Sequence, residues 1–160
     1  MKISIFGLGY VGVVSAACLA QDGHEVVGVD PVRLKVDLIN QGRAPIIEKD
    51  IDRLIGSAVK HKQLRATMDA EEAIKQSSLS FVCVGTPSQL NGNLDLKYVR
   101  RVCENIGGLL KRKTERHIVV IRSTILPGTM AQVVIPTLEE YLAVSGEAIA
   151  TDQWLSLIHI

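Results

Sequence analysis

The segment Gly7-Leu8-Gly9-Tyr10-Val11-Gly12 constrains this chain more than any other stretch. It leaves a β-prone run, Lys2–Phe6, and opens a stretch with helical spacing from about Val11 to Asp22. At a strand-to-helix junction the three glycines have separable uses. Gly7 permits the tight turn, Gly9 lets the backbone approach a pyrophosphate, and Gly12 lets the helix lie close against a sheet. N–H groups at the start of the helix then face an anion. Alone the pattern is weak. Here, however, Asp30 follows eighteen residues after Gly12, at the end of a second strand, Glu25–Asp30. A carboxylate there accepts hydrogen bonds from an adenosine ribose and repels a 2′-phosphate, which favours NAD over NADP. Arg33, close by, is the residue that would suit a 2′-phosphate instead.

The remaining pattern alternates strands with helices. Val11, Val14, Ser15, Cys18 and Leu19 are read as the inward face of the first helix, and Gly23 closes it. Pro31 to about Gln41 reads as a second helix, 42–50 (GRAPIIEKD) as a loop, and Ile51 to about Lys62 as a further helix. Leu64–Met68 is a weak third strand. Asp69 is read as an N-cap, with Glu72 completing a capping-box-like pair before a helix to about Gln76. Leu79–Val84 is a buried strand. Leu96, Val99, Cys103, Ile106 and Leu110 mark a long amphipathic helix, and His117–Ile121 is a fifth strand. A last helix runs to about Leu142, kinked or divided by Pro136. The fold class that follows is α/β: a doubly wound parallel sheet of Rossmann type, ending before a sixth strand and leaving strand five with an unpaired outer edge.

Composition removes several function classes. Lys and Arg number 18 against 17 Asp and Glu, so no basic face argues for nucleic acid, and aromatics at 4% leave few stacking platforms. No apolar run reaches the roughly 18 residues of a membrane span, and the N-terminus enters a strand without a signal-peptide layout. The reading is a soluble, cytoplasmic protein. Cys18, Cys83 and Cys103 show no CxxC or metal spacing and are read as small buried hydrophobes, none a nucleophile. No metal site is expected.

Ligands of open parallel sheets sit beyond the carboxyl ends of the strands. Gly85-Thr86-Pro87 ends strand four and Ser123-Thr124 ends strand five, which places Thr86 and Thr124 on the rim that carries the glycine turn. Each is equally readable as a plain turn or cap, Lys35 as a solvated helix residue, and Arg122 as a surface charge.

Taken in order, these segments resemble the UDP-glucose/GDP-mannose dehydrogenase family. They are KISIFGLGYVG at 2–12, GHEVVGVD at 23–30, GRAPIIE at 42–48, FVCVGTP at 81–87, NGNLDL at 91–96 and IRSTILPGT at 121–129. The likeness runs from residue 1 to about 140. ERH at 115–117, RSTILPGT at 122–129 and VVIP at 133–136 look most like the GDP-mannose 6-dehydrogenase branch. The resemblance implies oxidation of the C6 hydroxyl of a nucleotide-bound hexose to a carboxylate with two NAD+, feeding exopolysaccharide synthesis, alginate in the GDP-mannose case. It implies that Tyr10, Val11, Asp30, Lys35, Thr86 and Thr124 face the dinucleotide beside Gly7, Gly9 and Gly12 of the glycine turn, with Thr124 also near the reacting centre. It further implies a homo-oligomer in full-length members.

Two departures stand out. Where the family reads E-P-G-L, this chain has Glu48-Lys49-Asp50-Ile51, which bears on how the next helix begins. The family's cysteine nucleophile, its partner lysine and asparagine, and the sugar-nucleotide pocket lie in central and C-terminal parts outside this sequence, so the chain alone is expected to be inactive. Residues 1–142 are read as the NAD-binding domain. Residues 143–160 lose the likeness, and the last six look like a translated sequencing-library adapter, so Trp154 and His159 carry no functional weight. Three alternatives stay open: a UDP-glucose 6-dehydrogenase, a hydroxy-acid dehydrogenase with a similar start, and a stand-alone NAD-sensing module.

Overall fold

The computed structural model describes residues 1–90 and 92–142 together with the strand at 157–159. Its strands are β1 (Lys2–Phe6), β2 (Glu25–Val29), β3 (Leu64–Thr67), β4 (Leu79–Val82), β5 (Ile118–Ile121) and β6 (Leu157–His159). They pair in parallel in the order β3-β2-β1-β4-β5-β6. The chain thus winds outward from β1 in both directions, and the reversal between β1 and β4 opens a crevice at the carboxyl rim. The helices are α1 (Tyr10–Gln21), α2 (Arg33–Asn40), α3 (Ile51–Lys60), α4 (Ala70–Gln76), α5 (Lys97–Leu110) and α6 (Ile135–Leu142).

Side-chain alternation along the strands divides the core in two. Ile3, Ile5, Val26 and Leu64 pack on one face with Val13, Ala16, Ala17 and Ala20 of α1, Ile39 of α2 and Ile55 of α3. Phe6, Val27, Val29, Val82, Val119 and Ile121 pack on the other with Ile74 of α4, Val99, Cys103 and Ile106 of α5 and Leu138 of α6. Because helices cover both faces, the strands read as nearly unbroken apolar runs.

Three expectations are corrected. The sheet does not stop at β5: Val119, Val120 and Ile121 lie in register with Leu157, Ile158 and His159. An unpaired edge presents a row of N–H and C=O groups, and Leu157-Ile158-His159 pairs with it in parallel. Trp154 and the rest of the 143–160 segment lie outside the described residues.

The inward face of α1 is also different. Gly12, Val13, Ser15, Ala16, Ala17 and Ala20 are buried, whereas Val11 and Cys18 are exposed. The helix lies so close to the sheet that its contact face is built from small residues, and Cys18 turns outward. Cys83 and Cys103 are buried as expected.

At α4, Asp69 Oδ1 accepts from the Glu72 N–H at 3.1 Å, but the reciprocal half of the box is missing. The Asp69 N–H donates to Thr67 Oγ1 at 3.0 Å, leaving the Glu72 carboxylate to Arg65 at 2.8 Å.

Pro136 divides the last helix through a π-helical turn, Met130–Val134, which ends just ahead of α6. Proline has no N–H to give, and its ring crowds the carbonyl four residues back in an α-helix. A wider turn relieves both problems.

Candidate functional site

The turn after β1 is held from two sides. The Gly7 N–H donates to the Val29 carbonyl of β2 at 2.8 Å, and Gly7 has φ +98°. A Cβ there would lie 2.8 Å from the Cys83 carbonyl oxygen beyond β4, so both conformation and space demand glycine. Leu8 is fully buried against Gly28 of β2.

Gly9 differs. It is the N-cap of α1, with ordinary extended angles of φ −83° and ψ −167°, and a Cβ there would meet nothing within 4 Å. Neither backbone strain nor protein packing asks for glycine at this position. The open space lies at the start of α1, where first-turn N–H groups have no intrahelical acceptor and the helix dipole is positive. A diphosphate approaching the backbone fits that cradle, and a side chain would fill it.

Asp30 points into the turn. Its Oδ2 accepts from the Leu8 N–H at 2.8 Å and from Lys35 Nζ at 3.1 Å, and its Oδ1 accepts from the Val32 N–H at 2.9 Å. The carboxylate is therefore fixed at the mouth of the crevice while also tying β2 to the glycine turn. Lys35 is drawn from solvent into an ion pair with it, its side chain half-buried. Arg33 is exposed and meets Asp37 at 3.6 Å.

Tyr10 and Val11, the first two residues of α1, are both exposed on the rim. The Tyr10 hydroxyl donates to Glu48 Oε2, bringing the 42–50 loop to the start of α1. That bond raises the Tyr10 phenol above its ordinary range, with smaller contributions from desolvation and from the Glu48 charge. The same bond lowers the Glu48 carboxyl, and the Lys49 N–H, donating at 3.0 Å, adds to the effect. Glu48 was not singled out from the sequence. The signal available was its place in the GRAPIIE segment, which says nothing of its partner.

On the other side of the crevice, Thr86 Oγ1 donates to the Thr124 carbonyl at 2.7 Å, joining the ends of β4 and β5. Ser123 Oγ reinforces the join by donating to the Val84 carbonyl at 2.7 Å. Gly85 shares the property of Gly9, since a Cβ there meets nothing within 4 Å, and it is a second rim residue that sequence reasoning passed over. The loop beyond it doubles back through an antiparallel bridge between Ser88 and Leu94, with Gly92 at φ +82° in its turn. Gly7, Gly9, Tyr10, Val11, Gly12, Asp30, Lys35, Thr86 and Thr124 thus all lie along the carboxyl rim of β1, β2, β4 and β5. Cys83 and Cys103 are not poised as nucleophiles. Burial pushes the Cys83 thiol up to about 11 and the Cys103 thiol up to about 12.

Comparison with known proteins agrees with this geometry. The pattern defining the UDP-glucose/GDP-mannose dehydrogenase family, NAD binding domain, matches residues 1–151. GDP-mannose 6-dehydrogenase of Azotobacter vinelandii is 54% identical over 152 residues, covering 95% of this chain and 34% of that protein. The crystal structure of a ternary complex of GDP-mannose dehydrogenase from Pseudomonas aeruginosa superposes with a TM-score of 0.91 at 49% identity, over 98% of this chain and 35% of that one. A UDP-glucose dehydrogenase from Pyrobaculum islandicum gives 0.88 at 33% identity, over 98% and 34%. The chain spans about a third of the length of the curated relatives it matches.

Proposed function

The chain belongs to the UDP-glucose/GDP-mannose dehydrogenase family, within its NAD binding domain, and from that premise we propose that it is the dinucleotide-holding part of a GDP-mannose 6-dehydrogenase. The observation that carries the reading is the unfilled space over Gly9, a glycine that nothing inside the protein requires. The branch assignment rests on 54% identity to a GDP-mannose enzyme against 39% and 40% to two UDP-glucose enzymes.

Gly9 and the first-turn N–H groups of α1, with Tyr10 and Val11 beside them, are positioned to hold the diphosphate of NAD. The Asp30 carboxylate, fixed by Leu8, Val32 and Lys35, is positioned to accept from the adenosine ribose, and its charge disfavours a 2′-phosphate. Thr86 and Thr124 border the opposite wall. When bound, NAD+ supplies the hydride acceptor. The net reaction of the whole enzyme in this reading is a four-electron oxidation of the sugar C6 hydroxyl to a carboxylate, with water supplying the second oxygen and two NAD+ reduced. The product is a uronic acid nucleotide of the kind used for exopolysaccharide such as alginate. Substrate binding, the nucleophile and homo-oligomer formation belong to the rest of the polypeptide, so residues 1–142 alone turn over no substrate. Among the described residues no helix is long and apolar enough to cross a membrane.

Calorimetric titration with NAD+ and with NADP+ tests the assignment. The unaltered chain is expected to prefer NAD+, and Gly9→Val to bind about tenfold or more weakly at an unchanged thermal midpoint. Asp30→Ala is also expected to bind weakly, and its midpoint is followed because the change unties Leu8. A Gly9→Val protein that binds NAD+ as well as the parent does would remove the assignment.

A further inference from the structure

The 42–50 segment is anchored at both ends and bare at its tip. At one end the Arg43 N–H donates to the Leu38 carbonyl at 2.9 Å and the Ala44 N–H to Asp52 Oδ1 at 2.7 Å. Ala44 and Ile46 pack against the core, while Ile47 beside them is fully exposed. At the other end Asp50 caps α3 in a left-handed conformation, φ +62°. Between these anchors, Glu48 reaches the first residue of α1 and accepts the Tyr10 hydroxyl. An exposed carboxylate is thereby held beside the start of α1, where the site geometry suits an anion. Were it there only as a charge, it would oppose a diphosphate. Its hydrogen bond gives it a different use.

We propose that Glu48 is a positioning residue for the dinucleotide: by accepting the Tyr10 hydroxyl it fixes the Tyr10 ring and fastens the 42–50 strap as one wall of the crevice beside Gly9. This rests on the NAD reading above. Tyr10 is exposed and its ring is otherwise free to sample several rotamers, so a wall fixed before binding spares the ligand that ordering cost. The raised phenol and lowered carboxyl agree with a bond in which Tyr10 donates and an ionised Glu48 accepts.

The test is NAD+ titration of the chain as it stands and of Tyr10→Phe, Glu48→Ala, Glu48→Gln and the Tyr10→Phe/Glu48→Ala pair. Tyr10→Phe and Glu48→Ala are each expected to weaken binding about twofold to tenfold, with the double variant no weaker than either single. Glu48→Gln keeps an acceptor oxygen and is expected to recover most of the loss. Binding by Glu48→Ala equal to or tighter than that of the parent overturns the proposal, as do losses that multiply in the double variant. A second readout is the ultraviolet titration of Tyr10 in a Tyr98→Phe/Tyr141→Phe background. The phenol is expected to titrate above its ordinary range and to return on Glu48→Ala, and a curve indifferent to Glu48 overturns the bond itself. If the parent fails to bind NAD+, both readings fall. If parent and Gly9→Val behave as the NAD reading requires while the strap variants bind like the parent, only the positioning role falls.

Discussion

A Cβ built on Gly12 lies 1.8 Å from the carbonyl oxygen of Gly7, so the first turn of α1 and the turn that precedes it occupy each other's only free space. The atom in the way is backbone, itself fixed by the bond from the Gly7 N–H to Val29, and it has no rotamer by which to yield. Gly12→Ala is therefore expected to lower stability by about 3 kcal/mol or more, the range of severe overpacking. Urea denaturation followed by far-ultraviolet circular dichroism measures this directly. A midpoint unchanged from the parent would show that the helix can shift away from the turn.

The three cysteines divide into one reactive and two silent thiols. Cys18 is exposed on α1, whereas burial raises Cys83 to about 11 and Cys103 to about 12. At pH 8 the thiolate fraction of either buried group is on the order of a thousandth or less, and access is blocked as well. An Ellman assay on the folded protein is expected to show one fast thiol, lost in Cys18→Ser, with the other two appearing only in denaturant. Three fast thiols would contradict the packing around β4 and α5.

The order of strands and helices was legible because each element carries its own period. Val99, Cys103, Ile106 and Leu110 step by three and four, and all four are buried on α5. The glycine turn was legible because its residues do distinct physical jobs. The face of α1 was not. Val11 to Ala20 is almost uniformly apolar or small, so hydrophobic period has no contrast to report, and the face is chosen by how closely the helix approaches the sheet. The Tyr10–Glu48 contact was equally hidden, because it joins residues thirty-eight apart across a loop with no period of its own. Asp30 was assigned to a ligand from its spacing. Its bond to the Leu8 N–H, which makes it a structural tie as well, depends on side-chain direction and could only be seen in three dimensions.

Asp50 stands where the family resemblance places the glycine of E-P-G-L, and it has φ +62°. The left-handed region costs an ordinary side chain about 1 kcal/mol, somewhat less for Asp, and nothing for glycine. Asp50→Ala is expected to lower stability by only the difference between the two costs, about 0.5 kcal/mol, whereas Asp50→Gly is expected not to lower it. The exposed Asp50–Arg53 pair at 3.9 Å contributes little to the comparison. Thermal midpoints of the three proteins give the order, and a midpoint for Asp50→Ala equal to that of the parent would mean that α3 can start without the left-handed cap.

The steepest dependence on pH is expected from His117, fully buried at the entrance to β5. Its Nε2 shares a hydrogen bond with the Ser80 hydroxyl at 2.7 Å, Ser80 meets Ser4 at 2.6 Å, and Ser77 donates to Ser4 at 3.0 Å, while Nδ1 has no partner. Burial, with the nearby Lys113 ammonium second, pushes His117 down to about 4, the Ser77 backbone pulling the other way. The folded protein therefore holds the ring neutral over a range in which the unfolded chain, at about 6.5, already takes up a proton. Because the native pKa is depressed, this contribution is complete above pH 6.5 and is lost as pH falls toward 4. Its full size is about 3 kcal/mol. Urea denaturation between pH 7 and 4 is expected to show that loss in the parent and a much flatter profile in His117→Gln, which cannot ionise. Parallel profiles for the two proteins would mean that the ring gains its proton in the folded state as readily as in the unfolded one.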